Sequence, residues 1–485
     1  MKLYSASALA IAVAAVTMSS TVIAKPNKNT KPYPYGNPVI THMYTADASP
    51  HVMPDGRVWM VTSVDHEKSG GYSTMHKYHN FSSADMVNWI DHGPVLNITD
   101  VNPNEDPKVD DWALWAPDVI YRNGKYYMYY PIHIRHRQDL RPNGKPKVTS
   151  YIGVAVSDSM DKPFTIIQPK IPGTQGIDPS VFIDDDDQIY LYWGSQWAAK
   201  LADNMVELAS EPVKLDIGTD NFMEAPWVHK RQGVYYFNYH TKYGNKIDRN
   251  NPDDPKRAKS HLDYSYSTSP MGPFKHGGIM NYELGYEVDN GPKFPGKDYV
   301  PWRLTQSNHG GVVEFHGQDY LFYHTSALSS WRQDEFENMG TWTQRSVSID
   351  RIDYNADGTL IPVQQTIEGV SPVKVSQDFS IPLGTAKVSQ TPTKFSDIQL
   401  GSGYYYFSAQ LANKNASGKI ELRLDAPNGT LIGSIALTPE TLKRDKIETF
   451  LREAYGKHDV YINYTGQGSL KLSKMQFSAG SPKVL

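Results

Sequence analysis

Three acids and one histidine stand at equivalent places in a repeated stretch of sequence. Asp47 (Thr45-Ala46-Asp47-Ala48-Ser49-Pro50), Asp178 (Gly176-Ile177-Asp178-Pro179-Ser180) and Glu224 (Phe222-Met223-Glu224-Ala225-Pro226-Trp227) each lie eight or nine residues before a polar turn. His309 (Ser307-Asn308-His309-Gly310-Gly311) holds that place in a fifth unit, and Asp118, in Trp115-Ala116-Pro117-Asp118, lies nearer its turn. Carboxylates that converge are costly unless they are used or bound to a cation. Two of them flanking a glycosidic bond supply what its hydrolysis needs: a protonated acid for the leaving oxygen and an ionised base for water. A third nearby helps keep the acid protonated by like-charge repulsion. One acid beside a proline also suits a turn cap; three at matching offsets favour a shared use.

Shared use requires elements that bring these positions together. The polar turn opens a five-fold repeat: Asp55-Gly56-Arg57-Val58-Trp59, Asn123-Gly124-Lys125-Tyr126-Tyr127, Asp187-Gln188-Ile189-Tyr190-Leu191, Gln232-Gly233-Val234-Tyr235-Tyr236 and His316-Gly317-Gln318-Asp319-Tyr320. Each reads as a hairpin turn entering an aromatic-rich strand. Five small antiparallel sheets in succession predict an all-β chain built on a five-bladed β-propeller. A sandwich or a solenoid would not repeat one hairpin at this uneven spacing. In a propeller the first strand of every blade lines the axis, so equivalent positions meet in one funnel. After Val370 the repeats stop, and alternating runs such as Lys419-Ile420-Glu421-Leu422-Arg423-Leu424 predict a small β-sandwich. The expected division is therefore a propeller over residues 33–370 and a sandwich over 373–485.

The 485 residues carry a net charge of −4, without the basic surplus of a nucleic-acid partner. The 32 Tyr and 10 Trp suit both β-rich cores and clefts where sugar rings stack. Lys2, the apolar run Ala8 to Val16 and Val22-Ile23-Ala24 read as a signal peptide over residues 1–24, implying a secreted or periplasmic protein. That run is too short to span a bilayer. No cysteine is present, so stability must come from packing rather than disulfides.

The chain resembles glycoside hydrolase family 43, in the branch of arabinoxylan arabinofuranohydrolases and β-xylosidases. The likeness runs over residues 33–370 and is carried by Asn37-Pro38-Val39-Ile40, Tyr44-Thr45-Ala46-Asp47, Met86-Val87-Asn88-Trp89, Trp115-Ala116-Pro117-Asp118-Val119, Ile177-Asp178-Pro179-Ser180, Asn308-His309-Gly310-Gly311 and Arg345-Ser346-Val347. The resemblance implies an inverting enzyme that removes α-L-arabinofuranosyl or β-xylosyl residues from plant-type polysaccharides or their oligosaccharides. It implies Asp47 as general base, Glu224 as general acid and Asp178 as the group that tunes the acid. His309 matches a histidine near an axial metal ion, usually calcium; Arg345, Trp115 and, less closely, Phe222 and Trp227 match the wall of the first sugar subsite. If Glu224 is the acid, neighbouring negative charge should raise its pKa. A galactan-active relative and a sugar-binding propeller without catalysis are the competing readings.

The C-terminal region resembles a family 6 carbohydrate-binding module through Ser417-Gly418-Lys419-Ile420-Glu421, Gly429-Thr430-Leu431-Ile432-Gly433 and Gly456-Lys457-His458-Asp459-Val460-Tyr461. It carries Lys471, Lys474 and Met475 where that family tends to have an amide and stacking aromatics. A bracing sandwich without a ligand is thus as consistent as a working module.

Overall fold

A computed structural model describes residues 32–67, 72–103, 109–242, 261–282, 307–332, 344–412 and 415–481. Residues 1–24, read from the sequence as a signal peptide, lie outside them. The described chain is almost entirely strand, arranged as five antiparallel sheets in chain order and two further sheets at the C-terminal end. The first sheet shows the plan: Tyr44–Val52, Val58–Asp65, Lys77–Ser83 and Trp89–Asn97 pair as a simple meander. No described helix is long and apolar enough to cross a membrane.

The repeated turns act as their residues predict. In Asn123-Gly124, Gln232-Gly233 and His316-Gly317 both residues have positive φ, for example 56° and 82° in the first. That is the type I′ geometry whose twist matches the flanking strands, and glycine at the second place removes its steric cost. Each turn links the first strand of a sheet to the second: Asp118–Arg122 to Lys125–Leu140, Phe222–Arg231 to Val234–Thr241, and Gly311–Phe315 to Gln318–Thr325.

The five first strands are neighbours in sequence order, and the fifth, Gly311–Phe315, packs back against Tyr44–Val52 of the first sheet. The apolar clusters follow the same circuit. Trp59 and Tyr78 meet Met128 and Ile132 between the first and second sheets, and Tyr129 and Val154 meet Leu191 and Trp193 between the second and third. Tyr192 packs with Phe237 and Tyr239, and Tyr264 with Leu321 and Tyr323. Phe322 and Ile349 of the fifth sheet join Val58, Met60 and Phe81 of the first. Asn37 pins this last junction: its side chain donates to the Ile349 and Thr366 carbonyls at 3.0 Å and accepts from the Ile349 N–H at 2.9 Å.

The C-terminal sheets, Ser380–Ser389 with Ser469–Ser478, Tyr406–Leu411 and Ile447–Phe450, and Thr393–Gly401 with Gly456–Tyr464, Lys419–Leu424 and Leu431–Ala436, enclose a separate core around Phe407, Leu422, Ile462 and Phe477. This β-sandwich closes one end of the five-sheet body. The Tyr406 hydroxyl donates to the Val52 carbonyl at 2.8 Å, Arg452 pairs with Asp185 at 3.1 Å, and its guanidinium lies 4.4 Å from the Phe182 ring. A cavity of about 140 Å³ remains between sandwich and sheets.

Candidate active site

At the opposite end of the first strands, the backbone turns irregular where the acids stand. Asp47 and Asp178 have φ of 55°, Ala225 next to Glu224 has 61°, and Ser307 near His309 has 55°. Pairing register slips between Ala46 and Ser49, and twice around Glu224. Non-glycine residues in this region are strained, and bulges re-aim side chains. Here they turn the acid side chains out of the strand alternation toward a common point.

That point is well defined. His309 Nδ1 lies 3.0 Å from Asp47 Oδ1, and its Nε2 lies 3.6 Å from Asp178 Oδ1. Asp178 Oδ2 accepts from the Ala225 N–H at 3.0 Å, which ties the third sheet to the backbone beside Glu224. Glu224 Oε1 is 3.4 Å from His240 Nδ1, its directly opposite residue on the next strand. Asp47, Asp178, Glu224 and His309 are thus drawn together from the first, third, fourth and fifth sheets.

Arg345 is fully buried beside Asp47. It donates to Asp47 Oδ1 at 2.9 Å and grips Asp65 through both Nε and Nη2 at 3.0 Å. Its guanidinium lies 4.9 Å from the Tyr72 ring. Arg345 therefore orients the Asp47 carboxylate, with little of its own surface open to a sugar. Trp115 stacks on His133 at 3.8 Å and donates to the Tyr72 carbonyl at 3.0 Å, which sets it on the rim beside this group. Phe222 lies in the apolar core with Phe237 and Tyr239. Trp227 is buried at the floor, where its N–H donates to the Val312 carbonyl at 3.2 Å and its ring borders the sandwich-side cavity. These two side chains are placed away from the rim.

The electrostatics separate the acids. Burial would raise the Asp47 carboxyl, but Arg345 and His309 hold it far below the usual carboxylate range. Asp178 is raised by burial, with Glu224 and Asp47 adding to the effect against the pull of His309. For Glu224 the sequence expectation is reversed. Burial pushes it up, yet the His240 contact, helped by His309 and Ser307, brings it below its ordinary value. His309 rises well above the usual histidine range because Asp47 and Asp178 flank it, despite the burial that opposes its charge.

Asp47, His309 and His324 bring ligand atoms within 4.8 Å of one another, a grouping that can hold a metal ion. Calcium favours six to eight oxygens, so two imidazoles do not suit direct coordination. Water-mediated contact does fit: among the described residues His309 Nε2 has no hydrogen-bond partner, and a cavity of about 20 Å³ lies beneath it between Asp47 and Asp178, room for about one water-sized occupant.

Asp118 fills the equivalent place in the second sheet and is wholly buried. Its carboxylate accepts from the Ser49 hydroxyl, His51 Nε2 at 2.8 Å and the Val181 N–H at 2.6 Å. It staples three neighbouring strands and has no free face for chemistry.

Residues 35–360 match the profile of the glycosyl hydrolases family 43, and residues 390–479 that of the carbohydrate binding module (family 6). The chain belongs to glycoside hydrolase family 43. Among its family 43 relatives, the xylosidase/arabinosidase 43A of Humicola insolens is 31% identical over 67% of this chain and 98% of its own length. The arabinoxylan arabinofuranohydrolase of Bacillus subtilis is 26% identical over 96% of this chain and 94% of its own. A solved β-xylosidase/α-arabinofuranosidase from a compost metagenome, in complex with xylotriose and in calcium-free form, superposes with a TM-score of 0.51 at 27% identity. It covers 69% of this chain and 98% of its own. The enzyme is accordingly a glycoside hydrolase.

Sequence reasoning missed Asp65, Tyr72, His240 and His324. The His324 ring accepts from the Asp47 N–H at 3.3 Å. For His240 the hairpin Phe222–Arg231/Val234–Thr241 offered only a near miss. Counting outward from its turn places Thr241 opposite Glu224, and one bulged residue replaces it with His240.

Proposed function

We propose that this chain is an inverting, exo-acting α-L-arabinofuranosidase or β-xylosidase that removes single residues from arabinoxylan-type polysaccharides. The observation that carries this reading is the divided charge of the converged acids: Asp47 locked as a carboxylate by Arg345, and Glu224 standing in the same group with Asp178 raised beside it. Asp47 takes a proton from a water as that water attacks the anomeric carbon. The glycosidic bond breaks on the opposite face, and Glu224 delivers its proton to the leaving oxygen. Asp178 supplies the neighbouring negative charge and accepts hydrogen bonds from the sugar hydroxyls.

For Glu224 to act as the acid, substrate must loosen its hold on His240, since that contact favours the ionised form. Trp115 forms the aromatic side of the pocket. The five sheets are the blades of a closed five-bladed propeller over residues 33–370, a reading supported by the return of the fifth first strand to the first sheet. The sandwich over 373–485 braces it. Calcium bound beside His309, where Asp47 and Asp178 offer carboxylate oxygens, would supply fixed positive charge on the axis. Residues 1–24 direct the enzyme out of the cytoplasm.

Monosaccharide release from arabinoxylan, xylan, arabinan and galactan tests the substrate class. Arabinose or xylose is the expected product; galactose from galactan as the main product contradicts it.

A further inference from the structure

The second sheet carries an extension that none of the others shows in the described residues. Its strands Lys125–Leu140 and Pro146–Ser157 run for sixteen and twelve residues, and Asp110–Leu114 pairs with residues 132–136 of the longer one. Residues 137–145 at the tip are exposed. Opposed and alternate residues share one face of a sheet. His133, Arg135 and Arg137 therefore face the same way, along with Asp111, opposite Arg135, and Ser150, opposite His133.

The inner end of this face belongs to the active site, because Trp115 lies flat on His133. Its outer end opens into a cavity of about 290 Å³ lined by Arg135, Arg137, Arg141 and Lys145 against one carboxylate, Asp111. Asp111 is already paired with Arg137 at 2.9 Å. Among the described residues no acid pairs with Arg135, Arg141 or Lys145. Four residues of strand carry this face about 13 Å outward from His133 to Arg137. His133 itself is pushed down to about 4 by burial and by Arg135, so its ring is neutral under Trp115.

The geometry points to a binding site for the carboxylate of a uronic-acid branch, gripped by Arg135, Arg141 and Lys145 while the sugar to be removed sits beside Trp115. This rests on the reading of the chain as a polysaccharide hydrolase, whose plant-type substrates carry their negative charge as uronates. Guanidinium forks suit carboxylates bidentately, and a lysine adds a mobile point charge. The occupied group belongs to a different sugar from the one cleaved, because the cavity lies outward along the strand from Trp115. A nucleic acid would need a longer basic track than one hairpin tip on a chain of net charge −4.

The test is affinity electrophoresis of the full-length enzyme and of R135Q/R141Q/K145Q, in gels holding glucuronate-branched xylan or neutral arabinoxylan. The wild type should be retarded more in the acidic polymer, and the variant should bind it about tenfold more weakly, a typical effect of losing charge-assisted contacts. Added salt should shrink the difference. Retardation in the neutral gel and kcat/KM on an aryl arabinofuranoside should not change. Equal retardation of both proteins in the acidic gel, or an equal loss in both gels, overturns the proposal. A wild type that fails to cleave aryl arabinofuranoside and xyloside would refute the catalytic reading, and the gel comparison would still decide the uronate site.

Discussion

The two ends of the five first strands are built from the same sheets and do opposite things. At the sandwich end three of the five first strands finish in regular two-residue turns, and the polar contacts serve docking, as with Tyr406 on Val52 and Arg452 on Asp185. At the other end the backbone leaves regular geometry at Asp47, Asp178, Ala225 and Ser307, and buried charge is concentrated there. Regular turns set strand register during folding; the strained end is held by what surrounds it, namely Arg345, Asp65, His309 and the Asp178–Ala225 hydrogen bond. Substitutions at the first end should therefore move stability, and those at the second activity.

The sharpest break in that comparison is Asp47→Asn. It should lower kcat by about a thousandfold or more, on activated and natural substrates alike, since water must be activated for both. Circular dichroism should still show a folded protein. A variant retaining most of its activity would remove Asp47 from the role of base.

Next in size is Glu224→Gln, which should lower kcat on poor leaving groups by roughly a hundredfold or more and spare activated aryl glycosides. His240→Gln refines this. Because His240 pulls the Glu224 carboxyl down, its removal should move the alkaline limb of the kcat/KM profile to higher pH. A limb that stays in place or moves down would show that His240 does not govern the acid.

At the sandwich end the effects are smaller. Burial pushes Glu314 up to about 8 against its ordinary 4.5, with the Gly317 N–H opposing and Asp319 reinforcing the shift. The folded chain then keeps a proton that the unfolded chain releases. The resulting stability is complete below about pH 4.5 and is lost as pH rises through about 8. Wild-type Tm should fall across that window, and Glu314→Gln should flatten the fall without touching activity on aryl glycosides. A pH-independent wild type contradicts this. Tyr406→Phe, which deletes one buried hydrogen bond, should cost about 1 kcal/mol in unfolding free energy and leave kcat unchanged.

The same contrast explains what the sequence could and could not convey. The turns were legible because Asn-Gly and its equivalents encode φ locally, and the repeat they form places Asp47, Asp178, Glu224 and His309 at matching positions. Asp118 looked equivalent too; only its three donors, from two other sheets, reveal a staple. Phe222 stands two residues before Glu224, but the register slip between them breaks the alternation that would have put it on the same face, and Trp227, three residues after, lies beyond a second slip. The direction of the Glu224 shift depends on His240 arriving opposite it by one bulged residue, a displacement no local pattern records. Asp65 and Tyr72 belong to no motif and become meaningful only through Arg345, some 280 residues later in the chain.

One measurement bears most directly on the central claim, that Asp47 activates water in a single displacement assisted by Glu224. Proton NMR of the sugar first released from an aryl α-L-arabinofuranoside or β-xyloside, recorded before mutarotation, reports its anomeric configuration. The account predicts inversion, so the β-arabinose or α-xylose signal should appear first. Retention would require a covalent intermediate on a carboxylate nucleophile, and it would contradict the assignment of Asp47 as base.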